Sequence, residues 1–331
     1  MSDVYRIFGA DVSPYSVKVR SYFRYKQIPH EWILRGGAQM DEFKKYAKLP
    51  LIPLVVTPED QGIQDSTPIL EKLEMAYPEP SIHPDDPVAG FVSALIEEFG
   101  DEWGNKWMFH FRWAREADQD SAAGRIARTM MPGLSEEQYA GMAGQLKERM
   151  VNRVWFVGSS EQTAPQIEES FERGMACLEE HLAGRKYLFG ARPAFGDFGL
   201  WGQLYNAWTD PTAGAIVKRH PNLCAWIERM LEPSAEGDFE SWSALEPTLA
   251  PFVEQFVGRL FLPWSEANAA AIASGEEEFT VVLEGRDYTQ KPQKYHARSL
   301  AALRAKYAAL DDRASVDAAL EKSGCLPVLR G

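Results

Sequence analysis

In the first 80 residues the spacing of apolar positions switches repeatedly between every second residue and every third or fourth. Val4-Tyr5-Arg6-Ile7-Phe8 reads as a short strand closed by Gly9. Pro14 to Lys26 reads as a helix with Tyr15, Val19, Tyr22 and Phe23 on one face. Glu31-Trp32-Ile33-Leu34 and Leu54-Val55-Val56 predict two further strands, and Gln61 to Gln64 a short edge strand. Ser66 to Tyr77 predicts a second helix, with Ile69, Leu70, Leu73, Ala76 and Tyr77 facing inward. Pro78, Pro80, Pro84 and Pro87 then interrupt regular structure and mark an interdomain linker.

From Val88 to Phe256 the period is helical. Leu95, Phe99, Trp103, Trp107 and Phe111 recur every four residues as an aromatic seam on one long helix. Ile167 to Leu182, Gly199 to Trp208 and Asn222 to Leu231 predict further helices. Beyond them, Phe279 to Leu283 and a return strand from Tyr288 predict a hairpin, and Ala297 to Leu310 a helix. This last segment has too few apolar residues for a core of its own. The expected organisation is an α/β domain over 1–80, an all-α domain over 88–255, and an extension over 256–331 packed on the helical domain.

Charge narrows the partners. Of the net charge of −13, almost all falls on residues 81–255, with 15 Lys+Arg against 27 Asp+Glu. Such a surface repels phosphate backbones, so no nucleic-acid partner is expected. No apolar stretch approaches the roughly 18 residues a membrane span needs, so no membrane partner is expected either. Met1 to Phe8 shows no basic-then-apolar leader. Cys177, Cys224 and Cys325 are odd in number and far apart, which fits a reducing compartment, and the cytoplasm is the expected location. With no Cys-x-x-Cys and no metal-like spacing among six His, no metal is expected.

The candidate chemistry sits at the ends of the first-domain elements. Ser13 stands at an N-cap position, with Pro14 at the first helical position. Capping alone explains both residues. The same helix end also presents free N–H groups and a partial positive charge, which favour an anion. A thiol held there ionises more readily, and a serine hydroxyl adds one hydrogen bond to the thiolate. Leu51-Ile52-Pro53-Leu54 places a proline just before a strand, where a cis bond would expose the Ile52 backbone to a peptide-like ligand. Asp65-Ser66-Thr67-Pro68 opens the next helix. It is either a simple cap or a clamp in which Ser66 holds a carboxylate and Asp65 an amino group.

Strand, Ser-Pro-Tyr-Ser, helix, strand, Ile-Pro-Leu-Val, then Asp-Ser at a helix start: this order resembles the glutathione transferase family. The likeness is strongest over the first 80 residues and extends loosely to about residue 250. It implies a thioredoxin-like N-terminal domain, a helical domain behind it, glutathione as cosubstrate and a homodimer. It further implies that Ser13 activates the thiol, that Ile52 beside Pro53 pairs with the cysteinyl backbone, and that Asp65 and Ser66 hold the γ-glutamyl end. Arg35 or Lys48 is then the partner of the glycyl carboxylate. Tyr15, Trp103 and Trp107 become candidates for the pocket of a small apolar electrophile, although a stripe of aromatics at helical spacing is more often core.

Gly184 to Gly190 followed by Pro193-Ala194-Phe195-Gly196-Asp197 is similar to the family's turn before a buried helix, but Ala194 replaces the usual capping Ser or Thr. Asp197 is read as structural. Lys48-Leu49-Pro50 departs from the family's usual Asn-Pro, and the extension is longer than a typical transferase carries. The leading expectation is a glutathione-dependent transferase. A glutathione-dependent isomerase, lyase or dehalogenase shares the same thiolate, and a non-catalytic binding module is the alternative of another class. Thiol–disulfide exchange is disfavoured, because residues 13 and 16 are both serine.

Overall fold

The computed structural model describes residues 4–331, the side chain of Ala38 excepted. Met1–Asp3, on which part of the leader expectation falls, lie outside the described residues. Strand β1 (Tyr5–Gly9) leads into α1 (Pro14–Tyr25), followed by β2 (His30–Leu34), α2 (Met40–Tyr46), β3 (Leu54–Val56), β4 (Gly62–Gln64) and α3 (Ser66–Ala76). The sheet order is β2-β1-β3-β4, with β1 parallel to β2 and antiparallel to β3. Period-two alternation covers both faces. Ile7 and Val55 join the core under α1 and α3, while Phe8, Leu54 and Val56 pack on Phe43 of α2. This is a thioredoxin-like domain. The short helix α2 was not predicted, because Phe43 is its only buried apolar residue.

Lys26, at the end of α1, gathers the linker by donating to the carbonyls of Tyr77 (2.7 Å) and Pro80 (2.8 Å). Beyond it lie α4 (Pro87–Phe99), α5 (Asn105–Ala114), α6 (Glu116–Met130), α7 (Glu136–Val151) and α8 (Ala164–Leu182). They are followed by α9 (Phe195–Trp208), α10 (Pro211–Val217) and α11 (Pro221–Arg229). Helices α6 and α7 lie in the stretch read as helical but are not delimited there, because α6 buries mainly alanines, with Ala122 and Ala123 against Trp113, and α7 buries only Tyr139.

The aromatic seam runs through α4 and α5, joined by a wide π-type turn at Gly100–Gly104. A strict four-residue repeat drifts about 40° per step around a helix of about 3.6 residues per turn. A single wider turn takes up much of that drift and keeps the seam facing inward.

Helix α9 is buried on nearly every side, and its glycines let neighbouring backbones approach. A Cβ at Gly199 would stand 2.8 Å from the Glu97 backbone, and one at Gly202 2.5 Å from the Pro14 carbonyl oxygen. The start of α1 is thus seated directly on the helical domain.

The chain continues through α12 (Trp242–Phe252), a π-type stretch (Val253–Phe261) and α13 (Leu262–Ser274) as one unbroken helical path. The border expected at residues 255–256 falls inside that path, so the extension grows out of the helical domain. A hairpin, β5 (Phe279–Leu283) and β6 (Arg286–Gln290), then leads to α14 (Lys294–Ala308), α15 (Arg313–Leu320) and α16 (Leu326–Arg330). Among the described residues no helix is long and apolar enough to cross a membrane, and the three cysteines are free.

Candidate functional site

A cavity of about 610 Å³ opens where the first domain, the wide turn and the extension meet. Tyr15 lines it from α1, Ile52 and Pro53 from the loop before β3, and Asp65 and Ser66 from the start of α3. Glu102 and Asn105 line it from the helical domain, and Tyr295 and His296 from the extension. Its wall is largely apolar, with Leu49, Leu51, Ile63 and Phe156 contributing.

Ser13 caps α1: its Oγ accepts from the Ser16 N–H at 3.3 Å, and its own hydroxyl hydrogen remains available to donate. It does not itself line the cavity; Tyr15, two residues on, does. The loop before Ser13 is fixed from the second domain, where buried Arg112 donates to the Val12 carbonyl at 2.9 Å while its Nε holds Asp210. The Tyr15 hydroxyl donates to the Asp101 carbonyl at 2.9 Å, and burial raises its pKa.

The Ile52–Pro53 bond is cis. Gln64 shapes the loop above it: Oε1 accepts from the N–H groups of Lys48 (2.7 Å) and Leu49 (3.0 Å), and Nε2 donates to the carbonyls of Leu49 and Leu51. Lys48 lines the cavity. Arg35 does not. Its guanidinium lies over the Phe43 ring and donates to the Pro50 carbonyl at 2.6 Å, so it supports the loop from outside.

Asp65 precedes α3 with a φ of 80° and makes no capping bond. Positive φ at a non-glycine costs about 1–3 kcal/mol and persists where surrounding structure enforces it. Simple capping therefore does not account for Asp65. Its carboxylate instead accepts from the Tyr295 hydroxyl at 3.0 and 3.1 Å.

Behind Ser66 lies a buried ionic cluster. Lys18 Nζ meets Glu97 Oε1 at 2.5 Å and Asp101 Oδ2 at 2.7 Å, with Thr67 Oγ1 at 3.2 Å and Ser66 Oγ at 3.4 Å. Burial pulls the Lys18 pKa down, but Asp101 and Glu97 outweigh it and the net direction is up. Burial likewise pushes Asp101 up to about 7, with Lys18 pulling the other way. The Ser66 hydroxyl bonds Asp101 Oδ2 at 3.3 Å, which ties the start of α3 to the helical domain.

The two indoles lie elsewhere. Trp103 and Trp107 are both 0 % exposed and do not line the cavity, which corrects the expectation that they form an acceptor pocket. Trp103 packs on Trp264 and Tyr288, and Trp107 on Phe99, Phe171 and Phe256 while donating to Ser170 Oγ at 2.8 Å. The seam is core, as the commoner meaning of such a stripe has it.

Sequence reasoning missed Lys18, Gln64, Glu102, Tyr295 and His296. Lys18 alone carried a signal, as a charge among the buried positions of an amphipathic helix. Asp197 is structural: its carboxylate accepts from the N–H groups of Leu188 (2.8 Å) and Ala194 (2.9 Å) and from Trp226 Nε1 (2.8 Å).

Residues 7–81 match the family model for the glutathione S-transferase N-terminal domain, and residues 145–229 that for the C-terminal domain. With both in order on the expected fold, the chain belongs to the glutathione S-transferase family. No curated protein matches it. Among solved structures, it is similar to the β-etherase LigF from a Sphingobium species, at 20 % identity and a TM-score of 0.50 over 68 % of this chain and 94 % of that one. It is also similar to a glutathione S-transferase from Methylobacterium radiotolerans in complex with glutathione sulfonate, at 20 % identity and 0.41 over 69 % and 90 %. A tau-class glutathione S-transferase from mango matches at 19 % identity and 0.40 over 68 % and 87 %. At 20 % identity the likeness to the β-etherase speaks for the fold alone.

Proposed function

We propose that the cavity binds glutathione and directs its thiolate at a small apolar electrophile. The observation that carries this is the convergence of Ile52 beside a cis proline, Asp65 without a capping duty and Ser66 on one cavity that α1 enters at Tyr15. The Ile52 backbone pairs with the peptide portion of the ligand, Asp65 meets its amino group, and Ser66 its carboxylate. Lys48 takes the glycyl carboxylate. The end of α1 and the Ser13 hydroxyl stabilise the thiolate, and the apolar wall receives the electrophile.

Titration calorimetry with glutathione tests the binding, and thiolate absorbance of the bound ligand tests the mechanism. One hydrogen bond to a charged group contributes about 1.5–3 kcal/mol, so Ser13→Ala is expected to raise the thiol pKa by about one to two units. An unchanged titration would remove Ser13 from the mechanism.

A second reading, a binding module without catalysis, draws on the Tyr295 hydroxyl already bonded to Asp65. The two readings part on Tyr295→Phe. If glutathione competes with the phenol for Asp65, removing the phenol is expected to tighten binding by about tenfold or more, since one hydrogen bond to a charged group contributes about 1.5–3 kcal/mol. Neither wild type nor variant binding at millimolar glutathione is the outcome that favours the module.

A further inference from the structure

Scattered apolar side chains at a surface need no explanation, but a cluster of large ones held outward marks a place where something binds. Five surround the mouth of the cavity: Leu49, Leu51, Trp155, Phe156 and Tyr295, each between 46 % and 61 % exposed. All but Trp155 line the cavity itself, and the Trp155 ring packs on Phe156 at 5.9 Å between centroids. The backbone beneath fixes their direction. In the short 3₁₀ turn Val154–Val157, Val157 is buried and Val154 packs beside Trp113, while the two larger aromatic rings stand outside. Lys106 Nζ holds the Val157 carbonyl at 2.9 Å, and Gln290 Nε2 the Phe156 carbonyl at 3.1 Å. In the first domain, the Gln64 amide grips the backbone of Lys48, Leu49 and Leu51 and leaves both leucine side chains outside.

Charge is distributed just as unevenly around this ring. Its side chains come from Lys48-Leu49-Pro50-Leu51, Arg153-Val154-Trp155-Phe156 and Lys291-Pro292-Gln293-Lys294-Tyr295. These segments carry four basic residues and no acidic one, in a chain with 48 Asp+Glu against 35 Lys+Arg. All four cations are exposed, and Lys291 Nζ lies 5.3 Å from the centre of the Trp155 ring. A further exposed cation, Lys72, lines the cavity. The carboxylates of the lining are Asp65, bonded by Tyr295, and Glu102, which is buried.

We propose that the mouth of the cavity is a docking surface for an anionic lipid bilayer. The exposed rings and leucines enter the interfacial layer, and the lysines and Arg153 meet the headgroups. Such a contact lies on the membrane surface and requires no spanning helix. The acid excess on residues 81–255 opposes it weakly, because charges more than about 10 Å away are screened at 0.1 M salt. A second copy of the chain fits this surface less well, since a two-fold contact sets the same cations against one another. A ring around an open cavity also suits a fluid partner, whose chains or dissolved molecules can fill the opening that a rigid face would leave empty. Docked in this way, the protein takes apolar molecules directly from the lipid. The docking stands whether or not glutathione binds.

Cosedimentation of the full chain with vesicles tests this, without glutathione, so its outcome is separate from the calorimetry above. Vesicles of phosphatidylcholine with about one-third phosphatidylserine are expected to bind the protein, and phosphatidylcholine alone about tenfold more weakly or less. Each cation near an anionic surface contributes about fivefold, so Lys291→Gln with Lys294→Gln is expected to weaken binding by about tenfold or more. Trp155→Ser removes an apolar anchor and should weaken it by about five- to tenfold. All three positions are exposed, so these variants keep the fold. No binding to the mixed vesicles, equal binding to both lipids, or binding that neither variant weakens would each overturn the proposal. So would self-association in the absence of lipid that Trp155→Ser abolishes, since the ring would then belong to a contact between copies.

Discussion

Lys18→Met is expected to lower the stability of the protein by about 3–5 kcal/mol, the usual cost of removing one partner of a buried ion pair. Lys18 is fully buried, and its ammonium is the cation that Glu97 and Asp101 share. Methionine keeps much of the volume but leaves two carboxyl groups facing one another without a countercharge. The loss falls on the seam between the domains, because Lys18 belongs to α1 and the carboxylates to α4 and the wide turn.

The pH dependence has a definite sign. Without Lys18 the Asp101 carboxyl pKa rises further, so the folded variant holds a proton that wild type has released. The penalty should therefore be larger at pH 8 than at pH 5.5. Denaturant unfolding at both values measures it, and a cost below 1 kcal/mol at pH 8 would show that the cluster does not hold the interface. Because Ser66 and Thr67 bond into the same cluster, glutathione binding should weaken with it.

Asp197→Ala is expected to cost a similar amount, about 3–5 kcal/mol, for a different reason. Three buried donors, from Leu188, Ala194 and Trp226, converge on this carboxylate. Each one left unpaired costs about 1–3 kcal/mol. Burial pushes Asp197 up to about 7, against the pull of those N–H groups. Between its ordinary value near 4 and about 7, the folded protein keeps a proton that the unfolded chain has lost. The contribution of Asp197 to stability is thus greatest at low pH, falls as pH rises through that window, and is level above it. The difference between wild type and variant should shrink from pH 5 to pH 7.5. Asp197 also shows why Ala194 is tolerated at the cap: the acidic half of the capping pair is retained and bonds the Ala194 N–H.

Much of the first domain was legible because its determinants are local. Alternation marks Tyr5–Gly9 and Leu54–Val56 as strands, and Ser13-Pro14 and Asp65-Ser66 mark helix starts, all from residues a few positions apart. Residues at element ends therefore carry their roles in their own neighbourhoods, and Ile52, Asp65 and Ser66 reach one cavity because the sheet order brings those ends together.

Other assignments needed the packed molecule. The spacing of Trp103 and Trp107 specifies a helical stripe but not what faces it, and that face is closed by Tyr288, Trp264 and Phe256, which follow much later in the chain. Arg35 is a cation near the site in sequence, yet the Pro50 carbonyl and the Phe43 ring claim it. Lys18 gains its partners from α4, and Glu102 gains His296 from α14, only when whole helices settle at fixed rotations against one another. A helix's period tells which residues share a side. Which side meets which neighbour depends on crossings such as α1 on α9, set by the missing side chain at Gly202, and on the wide turn at Gly100–Gly104 that re-aims everything after it.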